Sequence, residues 1–206
     1  KAGAFDLERF QVFDTGDDVV LRARIRNLDP TFGVTNGAQM LDVYVREPGA
    51  TPVSTAAAFP QRNYTIHSDS AWTQRVEVQG FAPVVWMRAD GTAVAGGTFV
   101  ANPLSRYITV RLPKAELGTP GPGWVFTAVL TGQDGFSPDQ ARGFAPTPQQ
   151  FLFGVCAAPN PADPRCQVEP GIVPKAMDVI TPSGIDQATE LDVTLGPVVI
   201  HGVPVP

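Results

Sequence analysis

The stretch Val19-Val20-Leu21-Arg22-Ala23-Arg24-Ile25-Arg26 decides the fold class. Val19, Leu21, Ala23 and Ile25 fall on one side of an extended chain, and Val20, Arg22, Arg24 and Arg26 fall on the other. Successive side chains of a strand point to opposite faces, so a period of two marks a strand with one buried face. Just before it, Asp14-Thr15-Gly16-Asp17-Asp18 has the composition of a turn, and residues 5–13 read as the partner strand.

The same pattern recurs along the chain. Leu41, Val43 and Val45 alternate with Asp42, Tyr44 and Arg46, and Ile108, Val110 and Leu112 alternate with Tyr107, Thr109 and Arg111. Residues 72–78, 84–88 and 124–130 are further strand candidates, and residues 191–193 and 198–200 read as closing edge strands. Asp90-Gly91, Gly96-Gly97, the Gly-rich run 118–123 and Asp134-Gly135 punctuate them. No window of helical length carries an apolar stripe at three-and-four spacing, and only 114–117 suggests a single helical turn. Parallel sheets need crossover helices, which are missing. The expectation is one antiparallel β-sandwich over residues 1–206, immunoglobulin-like or jelly-roll-like, with little helix.

Bulk composition narrows the function. Of 206 residues, 21 are Pro and 20 are Gly, which suits short strands joined by turns. The formal net charge is −5, whereas nucleic-acid binders concentrate Lys and Arg, so a nucleic-acid partner is not expected. No run approaches the roughly 20 apolar residues of a membrane-spanning helix. The two cysteines, Cys156 and Cys166, flank a polar, Pro-rich segment. A local disulfide suits that spacing and an extracellular setting, and a pair of free thiols is the alternative. Secretion would require a leader outside these residues.

No catalytic motif is present: the nucleophile elbow, the phosphate-binding glycine loop and the His-Glu-x-x-His zinc motif are all missing. Glycan binding calls for exposed aromatic rings that stack on the apolar face of a sugar while polar neighbours take its hydroxyls. The candidates are Tyr44, Tyr64, Trp72, Trp86 and Tyr107, each of which reads equally well as core. Tyr44 and Tyr107 fall on the polar side of their strands, and Tyr64 sits in a polar stretch. The row Arg22, Arg24, Arg26 reads either as solvated surface or as a contact for acidic glycans or a wall polymer. Asp134 and Asp139 are the candidate ligands of a structural calcium ion, against the simpler reading of Asp134-Gly135 as a turn. No other cofactor is expected.

Several segments in order resemble the C-terminal domain of glucodextranase, a family of the DOMON-like β-sandwiches related to family-9 carbohydrate-binding modules. They are Gly3-Ala4-Phe5-Asp6-Leu7 with Phe10, then Arg26-Asn27-Leu28, then Gln39-Met40-Leu41-Asp42-Val43-Tyr44. Arg62-Asn63 with Trp72 and Gly80 follows, then Ile108-Thr109-Val110 with Leu112-Pro113, Leu117-Gly118 and Gly123-Trp124. The series ends with Gly132-Gln133-Asp134-Gly135, Arg142, Phe153-Gly154 and residues 178–187. The chain opens at the Gly-Ala-Phe-Asp motif, without the Asp- and Gly-rich segment that precedes it in the family, and the Cys156 to Cys166 loop reads as an insertion. The resemblance implies a non-catalytic accessory module of a secreted or cell-surface bacterial protein that processes α-glucan or another polysaccharide. Its implied partner is a polysaccharide or cell-wall glycan. The alternative is a structural spacer packed against a catalytic glycoside hydrolase domain, with no ligand of its own. The family carries no catalytic or binding residue over to this chain.

Overall fold

A computed structural model describes residues 2–156, 160 and 162–206. Fourteen strands and two single-turn helices follow in chain order: β1 (Leu7–Asp14), β2 (Asp18–Ile25), β3 (Gln39–Arg46), β4 (Tyr64–Ile66), β5 (Gln74–Gln79), β6 (Val85–Arg88), β7 (Thr98–Asn102), β8 (Tyr107–Pro113), α1 (Lys114–Leu117), β9 (Val125–Gly132), β10 (Phe144–Ala145), β11 (Phe153–Gly154), β12 (Asp178–Val179), α2 (Gln187–Glu190), β13 (Val198–Ile200) and β14 (Val203–Pro204). Two antiparallel sheets carry the architecture. One is four-stranded in the order β1-β2-β8-β7; the other runs β12-β9-β3-β5-β6, with β14 added to β9.

The alternating strands define the core. Val19, Leu21, Ala23 and Ile25 of β2 and Ile108, Val110 and Leu112 of β8 face Leu41, Val43 and Val45 of β3 and Phe126, Ala128 and Leu130 of β9. Burying these branched side chains between two pleated faces is the main stabilising term of a sandwich. Trp86 of β6 lies inside this core, and its indole N–H donates to Gln74 Oε1 at 2.9 Å.

The six-stranded sheet is covered on its other face as well. Tyr44 and Val129 point away from the main core into a second cluster with Tyr64, Ile66, Trp72, Val179, Val198 and Ile200. Residues of segments 57–72 and 176–200 supply that cover, fastened by a parallel pairing of β13 with β4. A second short parallel pair joins β10 to β11. These two pairings and the fate of 191–193 depart from the sequence reading. Asp186 caps α2 by accepting from Thr189 N, and Asp192 caps a following 3-10 turn, Val193–Leu195, so the backbone there turns instead of extending. Cys156 and Cys166 are joined as a disulfide.

Candidate functional site

The covered face shows why most of the aromatic candidates have no ligand to meet. Tyr44, Tyr64, Trp72 and Trp86 are between 1% and 5% exposed. A ring so enclosed has no face to offer a pyranose. Their polar atoms are used internally. Tyr64 O–H donates to Asp42 Oδ2 at 3.1 Å, leaving Tyr44 O–H to donate to the Tyr64 oxygen at 2.9 Å. The Trp72 indole N–H donates to the Ala56 carbonyl at 2.8 Å.

Beside these rings lies a buried ion cluster. Arg62, wholly enclosed, reaches Asp42 Oδ2 at 2.6 Å, Glu77 Oε2 at 3.0 Å and the Asp139 carbonyl at 2.9 Å. Its Nε lies 3.4 Å from Asp139 Oδ2 without hydrogen-bond geometry. Lys175 Nζ holds both Asp139 oxygens at 2.9 and 3.0 Å. Burial, aided by the neighbouring Asp42 charge and opposed by Arg62, pushes the Glu77 carboxyl up to about 7. Burial raises both tyrosine hydroxyls as well. The cluster is internal, and each of its charges faces an opposite charge, as a structural ion network requires, although Asp42 Oδ1 and Arg62 Nε make no hydrogen bond.

The proposed calcium ligands are engaged in the same way. Asp139 belongs to Lys175 and Arg62, and Asp134 Oδ1 accepts the amides of Phe136 and Ser137 at 3.0 and 3.1 Å. A cation at Asp139 would first have to displace Lys175. Among the described residues, the only His, Cys, Asp and Glu trio close enough to share an ion is Cys156, Asp163 and Cys166, whose sulfurs are already bonded to each other. Asp134 and Asp139, held by these partners, do not fit a calcium site.

The uncovered surface is the outer face of the four-stranded sheet. Register sets three rows across it: Arg9, Arg24, Tyr107 and Asn102; Gln11, Arg22, Thr109 and Val100; Phe13, Val20, Arg111 and Thr98. Tyr107 is thus the one candidate ring left at the surface, and it is half-buried by its neighbours. The Arg22 guanidinium sits 3.9 Å from the centre of that ring and 6.0 Å from the Phe13 ring. Tyr107 O–H donates to Gln11 Oε1 at 3.4 Å. Arg24 lies 3.5 Å from Glu8 and Arg111 lies 3.6 Å from Asp18, while among the described residues Arg9 and Arg22 have no carboxylate within pairing distance. A depression of about 400 Å³ opens between Phe13, Thr15, Val20, Arg22, Thr109 and Arg111. Four arginines on one flat face make it cationic, on a chain whose net charge is −5. Arg26, the last member of the arginine row, pairs instead with Asp6 at 3.3 Å at the edge of the sheet.

Sequence reading placed Arg22 and Tyr107 outward but could not bring them together, because they lie 85 positions apart and meet only through the β2–β8 register. It set Arg111 on the polar side of its strand without joining it to the arginine row, and it missed Arg9, although the alternation of Arg9 with Phe10 carries the signal.

One sheet of the sandwich is covered on both faces, and the other keeps an outer face that carries four arginines. The family model of the SLH-like, C-terminal binding module of glucodextranase matches residues 1–195, and the chain belongs to that family. No curated protein is matched.

Proposed function

We propose that this chain is a non-catalytic accessory module that holds a polysaccharide or cell-wall glycan for a secreted bacterial glycan-processing protein, and that the bared sheet makes the contact. Membership of a binding-module family supports the general role. The observation that carries the site is the Tyr107–Arg22–Phe13 array within a face of four arginines. Rings and guanidinium planes offer stacking surface to sugar C–H groups, and the free N–H donors suit the carboxylates or phosphates of an acidic wall polymer. Disulfide closure and family membership favour an extracellular setting.

Sedimentation with Gram-positive wall material tests this reading. Binding that weakens as salt rises, and that Arg22→Ala and Tyr107→Ala each remove without unfolding the chain, is the expected result. Salt-independent or variant-independent binding would contradict it.

The spacer reading rests on a different observation: four of the five candidate rings are core. It expects deletion of this chain to lower the melting temperature of a neighbouring catalytic domain, and wall binding to be absent.

A further inference from the structure

Three tight turns at one end of the sandwich each hold a phenylalanine at the tip. Thr31 and Val34 exchange backbone hydrogen bonds around Phe32-Gly33, with φ of 54° and 85° at the two central residues. Gln149 and Leu152 do the same around Gln150-Phe151, with φ of 63° at Phe151. Asp134 caps the third turn by accepting from the amides of Phe136 and Ser137. The rings converge: Phe32 and Phe136 lie 6.2 and 5.8 Å from Phe151. Arg142 backs the group, 6.0 Å from Phe151 and 5.1 Å from Phe153.

Two features set this cluster apart from incidental surface. Phe32 and Phe136 are 58% and 69% exposed, although a large apolar ring at a turn tip gains nothing from water. Left-handed backbone favours Gly and Asn, and a bulky residue there is strained. Phe32 and Phe151 both accept that strain, in separate turns, to reach the same place. Strained backbone that positions a shared set of side chains points toward a function for them.

We infer that the Phe32, Phe136 and Phe151 turn tips form a stacking site for a neutral saccharide, separate from the cationic sheet face. Ring-to-ring spacing near 6 Å is comparable to the width of a pyranose. Gln149 and Gln150, next to Phe151 in the same turn, are exposed, and their amides both donate and accept, as sugar hydroxyls require. No exposed charge is needed at the rings, which separates this ligand from the acidic polymer assigned to the sheet. A protein partner fits less well. Even fully buried, three phenylalanines cover at most about 450–750 Å², short of the roughly 800 Å² per partner of a stable interface. This site does not depend on the sheet-face reading, and either can fail alone.

Affinity electrophoresis of the purified chain through gels containing soluble starch, dextran or a mixed-linkage β-glucan tests the inference. At least one neutral glucan should retard the chain. Phe32→Asn and Phe136→Asn should each weaken that retardation at least tenfold, and Arg22→Ala should leave it intact. Asn tolerates the left-handed conformation, so Phe32→Asn should also hold the melting temperature or raise it by about 2–4 °C. A ring that merely packs would instead lower it. No retardation of the parent chain, undiminished retardation of the double Phe32→Asn, Phe136→Asn variant, or a lower melting temperature for Phe32→Asn would each overturn the inference. So would a parent dimer that the double variant dissociates without any glucan being held.

Discussion

The Arg22 guanidinium stacks over the Tyr107 ring at 3.9 Å, across the β2–β8 pairing and on a sheet face that no other segment covers among the described residues. A cation over a ring at an exposed site contributes about 0.5–1 kcal/mol, and it holds both side chains flat against the sheet. In the proposed function, this pair meets a ligand that lies across the strands.

The planar stack makes Arg22→Lys a non-conservative change. A lysine keeps the charge but loses the flat fork and most of the stacking. Wall binding of Arg22→Lys should fall about threefold to tenfold, up to ~1.4 kcal/mol, with an unchanged melting temperature. Isothermal titration against solubilised wall polymer measures it. Equal affinity for Lys and Arg would reduce the face to a generic positive charge.

Tyr64 acts in the fold and not in a ligand contact. Tyr64→Phe leaves Asp42 Oδ2 short of a donor and Tyr44 O–H short of an acceptor in a closed site. A buried unsatisfied group costs about 1–3 kcal/mol. Urea denaturation should show that loss, while the folded fraction binds wall material as the parent does.

Arg62 anchors the cover over the six-stranded sheet, since it alone bridges Asp42, Glu77 and Asp139. Removing one partner of a buried ion network strands the rest and typically costs ~3–5 kcal/mol. Arg62→Met should therefore destabilise by that order, and hydrogen exchange should rise first in β4 and β13, which the cover contains. A near-neutral Arg62→Met would mean that the carboxylates simply protonate in place.

Glu77 gives stability a pH dependence of defined sign. Its folded value, pushed up to about 7, lies above its ordinary value of 4.5. The folded chain therefore holds a proton that the unfolded chain releases, and this contribution shrinks as pH rises from about 4.5 to about 7. The full effect is on the order of 3–4 kcal/mol. Denaturation at pH 5 and pH 8 should show a smaller drop for Glu77→Gln than for the parent. An identical drop in both proteins would place the titration elsewhere.

Much of the sandwich could be read from the alternation in β2, β3 and β8, because a two-residue period with one apolar side admits few other folds. The inward sets Val19, Leu21, Ala23 and Ile25, and Ile108, Val110 and Leu112, are wholly buried as that alternation demands. The cover over β3 was not legible. Asp42 and Tyr44 look solvent-facing locally, and residues from distant segments bury them, Arg62 against Asp42 and Tyr64 with Trp72 against Tyr44. Nor was the phenylalanine cluster legible. Phe32 and Phe151 occupy backbone conformations that local propensity assigns to Gly or Asn, so the turns that present them contradict their own sequence preference.

The measurement that bears most directly on the account is the salt dependence of wall-polymer binding by the parent chain and by a double Arg22→Ala, Arg111→Ala variant. Releasing counterions from a cationic face gives binding that weakens steeply between low and physiological salt, and the double variant should bind at least tenfold more weakly with a much shallower slope. Binding of equal strength and equal salt slope in the two proteins would contradict the assignment of the bared sheet as the glycan-holding face.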